Sequence, residues 1–342
     1  MEGINHQELK EVIKRSYDTK VSLFIWGTFG IGKSDSVRQV AEDLKLDLID
    51  VRVSQLEPSD LRGLPKINGD SETTKWLIPN WLPNNKDSKG ILFFDELNLA
   101  VPSIQASCYQ LILDRKIGDY KLPDGWVVVS AGNRIEDKGN IFEMPVPLAN
   151  RFIHIELKIP EVERWCDWAF ENKVDNRIIS FLNFKPSRLF SYDSKSKDKS
   201  IATPRSWVFC SKLINEIDEL GKLEILSSSA VGEGTAIEFV SFLKLNRKIN
   251  IKDILDNPKK AKEIEEIDLK YALLSEASEY YRKNKKPETL KKILNVCEYV
   301  EPEFSVLMLR MVKAVDNEYF KKEIIKLKEF EKMSENYGKF LL

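Results

Sequence analysis

Short apolar runs alternate with segments of helical periodicity in the first half of the chain. The apolar runs are VSLFIWG, LDLIDVRVS, GILFFDEL, WVVVSAGN and FIHIEL, and the segments between them include KSDSVRQVAEDLKL and VPSIQASCYQLILD. Strand-like runs that alternate with helical segments predict a parallel sheet with crossover helices. We therefore expect an α/β core between about residues 21 and 157.

After Pro160 the β-like runs fade and helical periodicity dominates, so the second half is predicted to be mainly α-helical. The clearest helical segments are ATPRSWVFCSKLINEIDEL, GTAIEFVSFLKL and EPEFSVLMLRMVKAV. The charge-rich segment NRKINIKDILDNPKKAKEIEEIDLK indicates a solvated helix or connector rather than a binding tail. The polar segment KPSRLFSYDSKSKDKSIATPRS predicts an exposed loop that leads into a helix.

Composition and charge narrow the class of protein. A chain of 342 residues that is 42% hydrophobic can bury a substantial core, and no apolar run approaches the roughly 20 residues that span a bilayer. The first residues, MEGINHQELKEVIKRS, lack a signal-peptide core, so we expect a cytoplasmic protein with no membrane partner. The net charge of -1 gives no indication of a nucleic-acid partner, although it is compatible with a local basic patch.

The cysteines do not form a recognisable motif. The chain has 4 cysteines, which lie far apart without C-x-x-C spacing, and only 2 histidines. This pattern favours unpaired structural thiols in a reducing compartment over a zinc or disulfide site.

The segment IWGTFGIGKSDSV carries the strongest chemical signal. It fits G-x-x-x-x-G-K-[ST] through Gly27, Gly32, Lys33 and Ser34, between a predicted strand and a predicted helix. The glycines let backbone N–H groups surround a phosphate, and the helix start adds a partial positive charge. Lys33 would reach the β- and γ-phosphates, and Ser34 would ligate Mg²⁺. The predicted nucleotide contacts are Gly27, Thr28, Phe29, Gly30, Ile31, Gly32, Lys33, Ser34 and Asp35.

Two acidic residues follow the buried strand of GILFFDELN. Asp95 is predicted to hold the Mg²⁺, and Glu96 to orient and deprotonate the attacking water. Asn98 either sets the Glu96 rotamer or is a polar residue at a helix start. Asn133 ends the strand of WVVVSAGN, where a side-chain amide can touch the γ-phosphate or the attacking water, because ligands of open parallel sheets sit at the carboxyl ends of strands.

Three arginines could complete such a site. Arg134 follows Asn133, Arg151 lies in MPVPLANRF before the next strand, and Arg205 lies in ATPRSW at a helix start. A phosphoryl-transfer site can use an arginine from a neighbouring subunit to neutralise transition-state charge. Each arginine taken singly is more often a surface or salt-bridge residue, and the choice between Arg134 and Arg151 for the trans role stays open.

The order of these motifs resembles the AAA+ ATPases, and more narrowly the MoxR-like, dynein-related branch. GTFGIGKS looks like Walker A, ILFFDE like Walker B, Asn133 like sensor 1, LANRF like the arginine-finger segment and TPRSW like sensor 2. QLEPSDLRGLPKINGDSETTKWLIPNWLP is similar to the hairpin that interrupts the second core helix, and LILDRKIGDYKLPDGWVVVSAGN to the hairpin before sensor 1. VGEGTAIEFVSFL is similar to the helical lid of bacterial members.

The resemblance implies a fold, a set of roles and a partner. The fold would be a P-loop NTPase core of about five parallel strands at 1–158, with insertions at about 54–83 and 115–125. An all-α lid would follow at 159–248, and a helical extension at 249–342. Lys33, Asp95 and Glu96 would act in cis on ATP and Mg²⁺. Arg151 would reach into the adjacent subunit of a homo-oligomeric, hexameric ring, and Arg205 would couple nucleotide state to lid rotation.

Such proteins remodel or activate a partner, often one with a von Willebrand factor A domain, so we expect an ATP-hydrolysing chaperone. Two alternatives stay open: a nucleic-acid-remodelling AAA+ motor, helicase-like or restriction-associated, and an ATP-regulated scaffold that does not hydrolyse ATP. NNKD at residues 84–87 has the wrong spacing and position for a GTP-specificity element. Trp76, Leu77 and Trp81 of the first insertion either grip a substrate or pack the insertion onto the core.

Overall fold

The computed structural model describes residues 2–67, 74–137, 141–193, 198–246 and 248–330. Parts of the predicted insertion at 54–83, loop at 185–206 and extension at 249–342 therefore lie outside the described residues. The chain divides into two compact units, Met1–Pro160 and Glu161–Leu342. In the described ranges, no helix has the length and apolar character that crossing a bilayer requires.

The first unit contains a five-stranded parallel sheet and two short hairpins among its described residues. Its strands are β1 (Leu23–Trp26), β2 (Asp47–Arg52), β3 (Leu64–Ile67), β4 (Thr74–Leu77), β5 (Gly90–Asp95), β6 (Lys116–Ile117), β7 (Tyr120–Lys121), β8 (Trp126–Gly132) and β9 (Ile153–Glu156). Five of them pair in parallel in the order β2-β5-β8-β1-β9. Every residue of β8, and every residue of β5 except its last, is buried. The predicted parallel core is confirmed, and its continuous apolar strands are those of a sheet covered on both faces.

Helices connect and cover this sheet. They are α1 (His6–Thr19), α2 (Lys33–Asp43), α3 (Pro58–Arg62), α4 (Pro102–Asp114) and α5 (Val146–Ala149). Short 3-10 turns lie at Val53–Gln55, Leu97–Leu99 and Ile135–Asp137. The first helix begins at a reciprocal cap in which Asn5 accepts from the Glu8 N–H and Glu8 accepts from the Asn5 N–H. This cap fixes where α1 begins, and α1 packs beside α2.

Each predicted insertion contains an antiparallel hairpin: β3 pairs with β4, and β6 pairs with β7. The three apolar residues named for the first insertion differ in their burial. Trp81 packs against the core and donates its indole N–H to the Asp60 carbonyl at 3.0 Å. Trp76 and Leu77 are 43% and 51% exposed, so this edge of the hairpin presents apolar surface to solvent.

The second unit is mainly helical, as predicted. Its helices are α6 (Val162–Glu171), α7 (Asn176–Phe184), α8 (Pro204–Ile214), α9 (Leu220–Val231), α10 (Glu233–Asn246), α11 (Ile251–Asp256), α12 (Ile267–Lys283), α13 (Pro287–Cys297), α14 (Pro302–Val315) and α15 (Asn317–Ile324), with 3-10 turns at Pro186–Arg188 and Pro258–Glu263. They enclose two apolar clusters, one around Trp207 and Phe239 and the other around Leu294 and Met308. The charge-rich connector forms α11 and the 3-10 turn after it.

Candidate nucleotide-binding site

The glycine-rich loop Gly27–Gly32, called the phosphate loop below after its sequence motif, joins the end of β1 to the start of α2. Gly30 and Gly32 have φ angles of 70° and 99°, a backbone region in which a side chain is strained. A Cβ at Gly32 would also stand 3.3 Å from Nε2 of His6, which donates to the Ile31 carbonyl at 2.7 Å. Among the described residues, no side chain caps the start of α2, so its first N–H groups face the loop without a side-chain acceptor.

Lys33 is buried and turned into this loop. Its ammonium donates to the carbonyls of Gly27 at 2.6 Å and Thr28 at 2.8 Å, and to Oδ1 of Asn133 at 3.0 Å. A lysine ammonium has three N–H donors and no acceptor, so oxygens of a triphosphate are natural partners for it. The contact with Asn133 joins the loop after β1 to the loop after β8. The strands β1 and β8 are neighbours in the sheet.

Ser34 and Asp95 carry side-chain oxygens of the kind that bind a hard cation. The Ser34 hydroxyl donates to Oδ2 of Asp95 at 2.7 Å, and Oδ1 of Asp95 accepts from the Glu96 N–H at 3.0 Å. Magnesium binds through one or two protein oxygens together with phosphates and water. In the part of the chain that the structure describes, no cluster of three or more His, Cys, Asp or Glu residues could form a protein cage for a metal. This pair fits Mg²⁺ held jointly with a nucleotide.

Glu96 occupies an unusual backbone position at the end of β5. Its φ of 56° is in the left-handed region. This conformation is unfavourable for any residue other than glycine, and such residues are often found at functional sites. Its Oε2 accepts a hydrogen bond from the hydroxyl of Ser54 at 2.7 Å. Ser54 lies in the 3-10 turn after β2, and β2 pairs with β5. A polar residue after the neighbouring strand therefore holds the candidate base.

Asn98 holds the backbone of Asn133 from both sides. Its amide nitrogen donates to the Asn133 carbonyl at 2.8 Å, and its Oδ1 accepts from the Asn133 N–H at 3.2 Å. Asn98 is 1% exposed, and a Cβ at Gly132 would approach its Oδ1 to 2.4 Å. The Asn98 side chain thus fixes Asn133, rather than the Glu96 rotamer considered from the sequence.

The loop after β8 is also tied to the phosphate loop. The Thr28 hydroxyl donates to Oδ1 of Asp137 at 2.8 Å, while the Arg134 N–H donates to Oδ2 of the same carboxylate at 3.0 Å. The Arg134 guanidinium pairs with Glu156 of its own chain at 2.7 Å. The guanidinium of Arg134 is therefore engaged within its own chain through Nη2, while its Nε, like Nη1 of Arg151, is buried without a hydrogen-bond partner among the described residues.

Arg151 lies at the opposite edge of the sheet from the phosphate loop. It comes two residues before Ile153, whose register partner is Leu23 at the start of β1, whereas the phosphate loop follows the end of β1. The length of β1, roughly 10 Å at about 3.3 Å per residue, separates the two edges. The guanidinium lies 4.4 Å from the centroid of the Tyr109 ring, and its Nη1 is buried without a hydrogen-bond partner among the described residues.

The other predicted site residues are placed as follows. Asp35 is exposed in the first turn of α2 and pairs with Arg38 at 3.0 Å. Phe29 is half-buried and Ile31 is buried in the loop. Arg205 belongs to the second unit, where it is exposed in the first turn of α8 behind the Thr203 cap.

The four cysteines are buried and none of them is in a disulfide. Burial raises the pKa of the Cys108 thiol to about 12 and that of Cys297 to about 12, so neither is a nucleophile near neutral pH.

No protein-family model matches this chain, and no curated protein matches its sequence. Solved structures similar to it include the RuvB Holliday junction branch migration motor of Thermotoga maritima, which is 16% identical, with 74% of this chain and 75% of that chain covered and a TM-score of 0.39. A Cytophaga hutchinsonii protein assigned provisionally as an ATPase is 14% identical, with coverage of 95% and 91% and a TM-score of 0.39. NtrX of Brucella abortus in complex with ATP is 14% identical, with coverage of 90% and 67% and a TM-score of 0.37. Similarities this low carry no argument about activity, which has to come from the residues of the site.

Proposed function

We propose that the protein is a Mg²⁺-dependent ATPase of the AAA+ class. The observation that carries this proposal is a pair of hydrogen bonds at the carboxyl ends of β1, β5 and β8, made by two residues that are adjacent in the chain. In that pair, Lys33 contacts Asn133, and Ser34 contacts Asp95. Four residues from three sequence motifs, separated by up to 100 positions, meet at one edge of the sheet. That edge is where open parallel sheets bind nucleotides.

The binding step follows from the donors on this edge. The N–H groups of Gly27–Ser34 and the start of α2 bind phosphate oxygens, and Lys33 exchanges carbonyl partners for the β- and γ-phosphates. Ser34 and Asp95 would hold Mg²⁺, and the bound ion would neutralise charge that develops on the phosphates. Asp35 and Phe29 flank this loop and complete the proposed nucleotide contacts.

The hydrolytic step assigns distinct roles to two further side chains. Glu96 takes a proton from water as the water oxygen bonds to the γ-phosphorus and the bond from that phosphorus to the bridging oxygen breaks, which leaves ADP and phosphate. Asn133 orients the water or the γ-phosphate through its amide. A base of this kind contributes about 10²- to 10⁴-fold to the rate.

The arginine of this mechanism comes from a neighbouring subunit in a homo-oligomeric ring, which we propose to be hexameric. Arg151 lies at the sheet edge away from its own phosphate loop, and its Nη1 lacks a hydrogen-bond partner among the described residues. An arginine supplied in trans accelerates phosphoryl transfer by about 10³- to 10⁵-fold. Arg205 is proposed to sense the nucleotide from the helical unit.

The narrower proposal is a MoxR-like chaperone that remodels a protein partner, such as one with a von Willebrand factor A domain. It rests on the motif resemblance and on the apolar edge of the β3–β4 hairpin, where Trp76 and Leu77 are exposed. Single- and double-stranded DNA should leave the ATPase rate unchanged. Strong stimulation by either would instead favour a nucleic-acid motor.

The ATPase proposal is tested by comparing the wild type with Glu96→Gln. We expect ATP binding to persist and turnover to fall by about 10²-fold or more. Glu11→Gln, an exposed position on α1, is the matched control and should behave as the wild type. Equal turnover of wild type and Glu96→Gln would instead indicate a scaffold that binds ATP without hydrolysing it.

A further inference from the structure

His154 lies between two hydrogen-bond partners that fix its tautomer. The indole N–H of Trp26 donates to Nδ1 of His154 at 2.9 Å, and Nε2 of His154 lies 2.8 Å from the Ala149 carbonyl oxygen. An indole nitrogen only donates and a carbonyl only accepts, so Nδ1 carries no proton and Nε2 carries one. The partners thus select the tautomer with its proton on Nε2.

These partners stand at opposite edges of the sheet. Trp26 ends β1 and directly precedes Gly27 of the phosphate loop, whereas Ala149 ends α5, two residues before Arg151. His154 itself is opposite Phe24, in the middle of the β1–β9 pair. The imidazole therefore connects the strand end that carries the phosphate loop to the turn that carries the arginine.

The Ala149 carbonyl, which contacts His154, also accepts a hydrogen bond within the turn that carries Arg151. The Phe152 N–H donates to the Ala149 carbonyl at 3.1 Å, and the Arg151 N–H donates to the Leu148 carbonyl at 3.0 Å. The bond from His154 to Ala149 anchors this turn to β9. The Phe152 ring packs edge-on against Phe24 with centroids 5.5 Å apart.

We propose that His154 is a positioning residue for Arg151, an inference that rests on the proposed trans role of that arginine. By bonding Ala149 it fixes the turn from which the guanidinium projects, and by accepting from Trp26 it holds that turn in register with β1. An apolar ring at position 154 could fill the same space beside Phe24 and Phe152. Such a ring could make neither hydrogen bond, so positioning can be separated from packing.

Two substitutions make this separation. His154→Phe keeps an aromatic ring and removes both hydrogen bonds, and we expect kcat to fall by about 10- to 100-fold with KM for ATP unchanged. His154→Gln keeps one donor and one acceptor in its amide, and we expect activity within about fivefold of the wild type. A fall of the same size in both variants, or a weakening of ATP binding in His154→Phe, would contradict the proposal.

Mixed oligomers then show which site His154 serves. The reference pair is Glu96→Gln mixed with Arg151→Ala: the first supplies the arginine and the second supplies an intact base, so mixing should restore turnover. If the reference pair restores nothing, the trans role of Arg151 fails, and the positioning proposal fails with it.

With the reference pair restored, His154→Phe is mixed with each partner in turn. A residue that positions Arg151 belongs to the same complementation group as Arg151→Ala. His154→Phe should then regain turnover with Glu96→Gln and none with Arg151→Ala. The reverse pattern would show that His154 acts on the phosphate loop of its own subunit through Trp26, and restoration by neither partner would show a general structural role. Either result overturns the proposal.

Discussion

The Ser54 hydroxyl donates a 2.7 Å hydrogen bond to the Glu96 carboxylate, which joins the turn after β2 to the candidate base after β5. A hydrogen bond of this length to a carboxylate is charge-assisted and holds the carboxylate in one orientation. The bond also occupies the oxygen Oε2 that could face an attacking water. Ser54 is therefore placed to restrain Glu96.

Ser54→Ala should raise the basal rate of ATP hydrolysis by about two- to tenfold, because it removes the hydrogen bond that holds the base. Steady-state turnover at saturating ATP is the measurement. Ser59→Ala, an exposed serine on α3, is the control and should leave the rate unchanged. A rate that falls towards that of Glu96→Gln would mean that Ser54 aligns the base instead of restraining it.

Asn98→Ala should lower both stability and turnover. It leaves the partly buried N–H and carbonyl of Asn133 without these partners, at a cost of about 1 kcal/mol or more. We also expect kcat to fall by about tenfold or more, because the Asn133 amide loses its fixed orientation. Chemical denaturation and turnover measure the two effects. A normal kcat in a destabilised variant would confine Asn98 to a structural role.

Arg134 and Arg151 should behave differently when each is replaced by alanine. Arg151→Ala should still assemble but lose turnover by about 10³-fold. Arg134→Ala should lose no more than about 1 kcal/mol of stability, because its pair with Glu156 is partly exposed. Size-exclusion chromatography with ATP and a turnover assay separate the two variants. Turnover lost only in Arg134→Ala would transfer the trans role to that residue.

His6 should titrate below its ordinary value. Burial lowers the pKa of His6 from 6.5, and the charge of Lys10 lowers it further, while the hydrogen bond to Ile31 and the charge of Asp35 oppose this shift. The unfolded chain then binds more protons than the folded chain just below pH 6.5, so stability should fall as the pH drops through this window.

Proton NMR of the imidazoles measures this pKa directly, because the chain has only 2 histidines. The signal that disappears in His6→Gln should titrate below 6.5. The same substitution should flatten the dependence of the unfolding free energy on pH in that window. A His6 pKa above 6.5 would contradict the burial and packing described for the start of α1.

Local patterns in the sequence were sufficient to predict the parallel core. They also predicted that Lys33, Ser34, Asp95 and Asn133 lie close together. Strand ends in a parallel sheet share one edge, so motifs that follow strands come together whatever the length of chain between them. Ser54, Asp137 and His154 were missed. Each is joined to the neighbouring strand or loop by a single long-range hydrogen bond that depends on side-chain direction, and a lone serine, aspartate or histidine in or after a strand has no spacing that distinguishes it. The only available signal was position: Ser54 follows a strand beside β5.

Calorimetric titration of ATP with Mg²⁺ into the purified protein tests the central claim most directly. We expect saturable binding of ATP and Mg²⁺ at Gly27–Ser34 and Asp95. Lys33→Ala removes the ammonium from the loop and should weaken that binding by about tenfold or more. Absence of binding by the wild type, or equal affinity of the wild type and Lys33→Ala, would contradict the account.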